Sequence, residues 1–450
     1  MYLTNGSSFL FLLLWAISGL VLTQGFLKST PINHYYLTTR LPAGLNVKQD
    51  IGSDHHHSQE KNQEKYAELS ELDTTYPDNP TDLQTNPSSS AAVKDQGDDK
   101  RWESKYTTIQ GVQFHYKDTG PPPGRRGRYR TVVLLHGFAG STACWDAAWG
   151  GLAAAGARVV AFDRPAFGLT SRPTAPLNLP WSANPETLFQ DPYGVDFSVA
   201  ALWRLLDRLR VPRAVLVGHS LGCQVALRAA RARPRRAEGA VLLSPAVMNA
   251  FDQLRGAREG DASVLAFAGG AAAAGEGGGM QTSLKEKFDG AVDSARVVWG
   301  YGRFMASVNI PRYGRQQVRN SILQTDVQER VKRNFYDPEK VTPEMAAKYA
   351  RPLEEKNWDL GLVYFYRANQ GEWEPGADFI EKVKQRWTGP ALVLTGETDG
   401  VCPPPACARV AELLGCPYRP VPRCGHNLPD ERPGAVVAAV RGFLGGLEGR

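Results

Sequence analysis

Apolar residues follow two different rhythms along this chain. Thr107–Gly111 and Val112–Asp118 alternate apolar and polar positions, the pattern of a hairpin turning at Gln110-Gly111. Thr131–Leu135, Arg158–Phe162, Ala214–Val217, Ala240–Leu243 and Ala391–Thr395 are continuous apolar runs, and Tyr418–Val421 reads as a last short strand. Val199–Leu209 and Gly222–Arg231 carry helical spacing between them. Strands that are apolar on both faces and alternate with helices predict an α/β fold. It is a mostly parallel central sheet with helices on both faces. The alternation stops over residues 247–388, a stretch too long for a loop, which predicts an inserted helical lid. Arg315–Arg333, Pro343–Arg351 and Leu360–Asn369 have helical character there, and Gly269–Gly279 is a low-complexity loop.

The pattern divides the chain into five parts. Residues 1–27 are an apolar signal or membrane-anchor segment, centred on the uncharged run Phe9–Leu22. Residues 28–100 are a disordered polar linker that includes His55-His56-His57. The core's first part is 101–246, the lid 247–388 and the core's second part 389–450. The run is short for a spanning helix but fits a secretory signal, so the expected address is the secretory pathway or a membrane anchor, with membrane association through residues 9–27. Residues 26–49 are basic and free of acids until Asp50. Behind an apolar signal, that stretch resembles a two-part plastid targeting sequence, which is the alternative address.

Composition narrows the class. With 42% hydrophobic and 22% charged residues among 450, the chain is globular rather than disordered, collagenous or a disulfide scaffold. The net charge is +6, but residues 28–100 hold 12 acids and 7 bases, so the body carries the excess of base. Its arginines are scattered, which reads as a solvated surface and not as a nucleic-acid interface. Six cysteines lie beyond residue 140 without metal-ligand spacing, so no metal site is indicated. Cys402, Cys407, Cys416 and Cys424 are compatible either with one disulfide or with free thiols.

Gly218-His219-Ser220-Leu221-Gly222 is a G-x-S-x-G sequence with a strand before it and a helix after it. That context suits a nucleophile elbow, in which a sharp turn lifts Ser220 above the carboxyl edge of the sheet. A serine hydroxyl needs a base, and the base needs an orienting acid. Of the eight histidines, His426 is the natural base, because it follows a strand outside the glycine motifs. Asp399 is the expected acid and Glu397 its rival. The glycine-containing turn after Thr131–Leu135 would aim the Phe138 N–H at a developing oxyanion, with the Leu221 N–H as second donor.

HGFAGSTACW (136–145), FDRPAFGLTSRP (162–173), GHSLG (218–222), GETDGVCP (396–403) and GHNLPDERP (425–433) resemble, in order, the motifs of the α/β-hydrolase family. The resemblance implies the α/β-hydrolase fold, Ser220 as nucleophile, His426 as base, Asp399 as acid and the Phe138 and Leu221 amides as oxyanion hole. It is similar above all to the subgroup of C–C hydrolases and esterases. Epoxide hydrolases and haloalkane dehalogenases of this fold use an Asp nucleophile, and position 220 is Ser. Lipid acyltransferase relatives carry H-x-x-x-x-D, where this chain has Glu431, with Asp430 one residue closer to His426. The expected activity is hydrolysis of carboxylic esters of a small apolar or acyl substrate, without a cofactor. The aromatic lid residues Trp299, Tyr301, Phe304, Tyr364, Phe365, Tyr366 and Trp373 agree with such a substrate. Cleavage of a C–C bond in a diketone is the first alternative, and a slow-turnover ligand receptor the second.

Overall fold

The computed structural model describes residues 103–124, 129–174, 191–248, 307–369 and 376–447. The described residues all lie within one unit of the chain, His57–Arg450. The expected signal, the linker, the histidine triplet and the low-complexity loop lie outside the described residues, as do Trp299, Tyr301, Phe304 and Trp373. Among the described residues no helix is long and apolar enough to cross a membrane.

Eight strands form one sheet: β1 (Lys105–Ile109), β2 (Val112–Asp118), β3 (Thr131–Leu135), β4 (Arg158–Phe162), β5 (Ala214–His219), β6 (Ala237–Leu243), β7 (Ala391–Gly396) and β8 (Tyr418–Val421). Their spatial order is β1-β2-β4-β3-β5-β6-β7-β8. β1 and β2 are the predicted antiparallel hairpin, closing at the Ile109–Val112 pair, and β2 joins β4 antiparallel. Every other pairing is parallel.

Helices fill the connections. They are α1 (Asp146–Ala154), α2 (Val195–Arg208), α3 (Gly222–Ala232), α4 (Pro311–Leu323), α5 (Val327–Lys332), α6 (Pro343–Ala350), α7 (Trp358–Ala368), α8 (Gly376–Lys384), α9 (Pro404–Leu414), α10 (Leu428–Glu431) and α11 (Pro433–Gly446). The period of two along each strand assigns its side chains to opposite faces. Val133, Leu135, Val160, Phe162 and Leu216 join the core under α2 and α3, while Val132, Leu134, Val159, Ala161, Val215 and Val217 join the core under α1 and α11. Each buried valine, leucine or phenylalanine among them stabilises the fold by roughly 1.5–3 kcal/mol, so the paired layers hold the sheet edge rigidly.

One detail differs from the sequence expectation, and the choice left open for the cysteines is resolved. Residues 315–333 are not one helix: α4 stops at Leu323 and α5 begins at Val327, because the Asp326 carboxylate accepts the Gln328 and Glu329 amides and caps a new helix start. All six cysteines are free thiols, so no disulfide links the C-terminal group.

The chain leaves β3 for β4 on one side and then crosses to β5 on the other. The carboxyl ends of β3 and β5 therefore flank a topological switch point, the place where an open α/β sheet leaves a crevice.

Candidate active site

Ser220 occupies the turn between β5 and α3 with φ at +52°, in the left-handed region that side-chain-bearing residues rarely adopt. The turn is held by the Ser220 N–H, which donates to the Leu243 carbonyl at 2.8 Å. A Cβ at Gly222 would stand 2.1 Å from the Leu135 carbonyl oxygen, and one at Gly218 would stand 2.7 Å from Cys223 Cα. Both motif glycines are thus required by close chain packing, and the strained serine is what that packing exposes.

Asp399 follows β7 and His426 follows β8, at the same sheet edge as Ser220. Nδ1 of His426 lies 2.9 Å from Oδ2 and 3.1 Å from Oδ1 of Asp399. Asp399 Oδ1 also accepts the Val401 and Cys402 amides at 2.8 and 2.7 Å. Burial pushes the Asp399 carboxyl up, but the His426 hydrogen bond and charge, the Ser244 hydroxyl and the Cys402 amide outweigh it and hold the group below its ordinary value. An ionised carboxylate only accepts, so Nδ1 carries the proton and Nε2 is left as the acceptor. Glu397 is exposed and accepts the Arg423 amide at 3.3 Å instead. Asp399, not Glu397, is the carboxylate hydrogen-bonded to His426.

The imidazole is fixed from its backbone as well. The His426 N–H donates to the Asn334 carbonyl at 2.7 Å, and its own carbonyl meets His219 Nε2 at 2.8 Å. The two imidazole rings lie 4.9 Å apart. Burial lowers His219 to about 3, which leaves it neutral and suited to structure. Among the described residues no hydrogen bond joins the Ser220 hydroxyl to His426. Catalytic contacts are often long in unliganded sites and tighten with substrate.

The oxyanion-loop expectation fits the placement of β3. A Cβ on Gly137 would come within 2.9 Å of Ser220 Cβ, so the loop passes directly beside Ser220. Among the described residues neither the Phe138 nor the Leu221 N–H has a hydrogen-bond acceptor. His136 is buried and lowered to about 4 by desolvation first and by the Arg164 charge second. It accepts the Arg164 amide at 3.0 Å through Nε2 and meets the Gly137 carbonyl at 2.8 Å through Nδ1, so it shapes the loop.

Aromatic rings close over this edge. Phe138 lies 5.6 Å from Phe167, 5.8 Å from Phe365 and 5.8 Å from Tyr366. Phe365 and Tyr366 belong to α7, between β6 and β7, while Tyr364 of the same helix stacks on Tyr193 at 5.3 Å.

Some supports were missed in the sequence. Ser244, after β6 with φ at +47°, aids Asp399 and meets Thr395 Oγ1 at 3.2 Å. Nothing local marked it. Glu431 had a signal in its spacing from His426, and its carboxylate accepts the Gly425 amide at 2.7 Å, Asp337 at 2.9 Å and Tyr336 at 3.1 Å.

Residues 130–433 match the family described as the alpha/beta hydrolase fold. Epoxide hydrolase A of Mycobacterium tuberculosis is 28% identical over 349 residues, covering 75% of this chain and 96% of that protein. The uncharacterised hydrolase YugF of Bacillus subtilis is 22% identical, with 75% and 96% covered. Among solved structures, Cfl2 of Burkholderia cenocepacia superposes with a TM-score of 0.51 at 19% identity, covering 76% of this chain and 95% of the other. DBJA gives 0.52 at 18%, covering 77% and 98%.

Proposed function

The chain belongs to the alpha/beta-hydrolase fold family, and from that premise we propose that it hydrolyses carboxylic esters of an apolar or acyl substrate through an acyl-enzyme. The observation that carries the reading is the pairing of His426 Nδ1 with Asp399 at 2.9 Å, at the sheet edge that bears a strained Ser220. Its relatives include an epoxide hydrolase, but epoxide hydrolases of this fold use Asp where this chain has Ser220.

Ser220 Oγ attacks the acyl carbon as His426 Nε2 takes its proton. The carbonyl oxygen gathers negative charge between the Phe138 and Leu221 N–H groups. His426 then gives the proton to the leaving alkoxide, and the alcohol departs. Water adds to the acyl-serine with His426 again as base, Ser220 recovers its proton and the acid is released. Asp399 keeps the imidazole in the productive tautomer and stabilises its cation. Each oxyanion donor is worth about 3 kcal/mol in the transition state. The rings of Phe138, Phe167, Phe365 and Tyr366 supply an apolar wall for the acyl chain.

The test is a panel of p-nitrophenyl esters of increasing acyl length beside a panel of vinylogous diketones, with Ser220→Ala as control. Turnover of esters that peaks at one length and vanishes in the variant supports the reading. Turnover of diketones alone replaces it with C–C hydrolysis, and no turnover of either replaces it with a receptor.

A further inference from the structure

Arg164 follows β4 and is only 2% exposed, the one arginine among the largest fully buried side chains of the described residues. Its Nε and Nη2 atoms are buried and have no hydrogen-bond partner among the described residues. No acid among the described residues pairs with it. The adjacent Asp163 is committed elsewhere: it meets His115 Nδ1 at 2.7 Å and accepts the Thr142 and Leu169 amides at 2.6 and 2.8 Å. The neighbouring His136 is neutral, so it offers no negative charge either.

Nε and Nη2 form the parallel N–H pair that a carboxylate grips with both oxygens. The same chain fills this fork twice. Arg158 presents Nε and Nη2 to Asp118 at 2.9 and 2.7 Å, and Arg315 presents them to Asp359 at 3.0 and 3.0 Å. A buried guanidinium left without such a partner is costly. The Phe167 ring lies 5.2 Å away, and a cation–π contact offsets only part of the lost hydration.

The place of Arg164 in the chain gives the fork meaning. The Arg164 amide is hydrogen-bonded to His136 in the loop that passes beside Ser220. Phe167, which covers the guanidinium, also touches Phe138 at 5.6 Å and Phe365 at 5.0 Å. We infer that Arg164 receives a carboxylate of the substrate, so that the natural ester carries a free acid group, with Phe167 turning aside to admit it. This rests on the ester-hydrolase reading for the location of the reacting bond. The carboxylate would supply the counter-charge that the described residues withhold, and the planar fork would orient the ester over Ser220.

The experiment uses the full-length protein and mono-p-nitrophenyl esters of α,ω-diacids, each beside its methyl-capped counterpart. Arg164→Gln should raise KM for the free-acid esters by about tenfold or more while leaving the methyl-capped esters within about twofold, and Arg164→Lys should fall between. Equal changes for both substrates would show Arg164 to be a packing residue and overturn the inference. A second readout is independent of turnover: the free diacids should raise the melting temperature of Ser220→Ala but not that of the Ser220→Ala/Arg164→Gln double variant. Stabilisation with no ester turnover keeps the carboxylate site and removes the ester reading, whereas ester turnover with no stabilisation removes the site. Should Arg164→Gln not fold, wild type decides: a kcat/KM for the free-acid ester no higher than for its methyl-capped partner overturns the inference.

Discussion

Asp399 touches Nδ1 of His426 with both carboxylate oxygens, at 2.9 and 3.1 Å, and is itself pinned by two amides of its own loop. The imidazole therefore has one available tautomer. Asp399→Asn can offer an N–H where the carboxylate accepts, which turns Nδ1 into the acceptor and puts the proton on Nε2. Turnover of a p-nitrophenyl ester should fall about 10⁴-fold with little change in KM. Steady-state kinetics of the folded variant check it, and a loss under tenfold would mean that another group orients His426.

Glu431 ties three amides together on both sides of the His426 loop, from Gly425 to Tyr336 and Asp337. Glu431→Gln keeps the shape but must point an NH₂ at a backbone N–H. Stability should fall by about 2 kcal/mol in urea denaturation. The kcat should drop about tenfold through misplacement of His426, since a positioning error of this kind acts on the rate.

Gly222 allows the first turn of α3 to lie against the end of β3. With only 2.1 Å between a new Cβ and the Leu135 carbonyl oxygen, Gly222→Ala must push backbone apart. The expected loss is about 2–4 kcal/mol, read as a lower melting temperature with reduced turnover. An unchanged melting temperature would show that the turn is looser than the distances imply.

Asp430 provides a pH signature of the fold. Burial raises its carboxyl to about 6, against the hydrogen bond from the Tyr349 hydroxyl. One of its oxygens, Oδ1, is buried without a partner. Because the folded value exceeds that of the unfolded chain, the group's contribution to stability is full below about pH 4 and is lost as pH rises through about 6. Asp430→Asn, with no charge to bury, should be more stable than wild type at about pH 8 by on the order of 2 kcal/mol and equal to it near about pH 4. Denaturation curves at the two pH values test the sign.

The sheet was legible because its strands are apolar on both faces: Val132–Leu135 and Val159–Phe162 read as interior strands before any contact is known. Ser220, Asp399 and His426 were legible because each follows a strand of the parallel sheet, the first two an apolar one and His426 the short Tyr418–Val421, which puts them at one edge. The break between α4 and α5 was not, since it depends on Asp326 capping two amides in preference to continuing a helical turn. Ser244 and Arg164 were hidden for a related reason. Their roles come from neighbours distant in sequence, or from the absence of an expected one, and a single chain shows neither.

Acylation of Ser220 is the central event of this account, and it can be observed directly. The full-length protein would be quenched in acid during turnover of the best p-nitrophenyl ester and digested for mass spectrometry. The peptide that contains Ser220 should gain the mass of one acyl group, in an amount that rises with the burst of nitrophenolate, and Ser220→Ala should show neither. Turnover with an unmodified Ser220 peptide, or full turnover in Ser220→Ala, would contradict the mechanism.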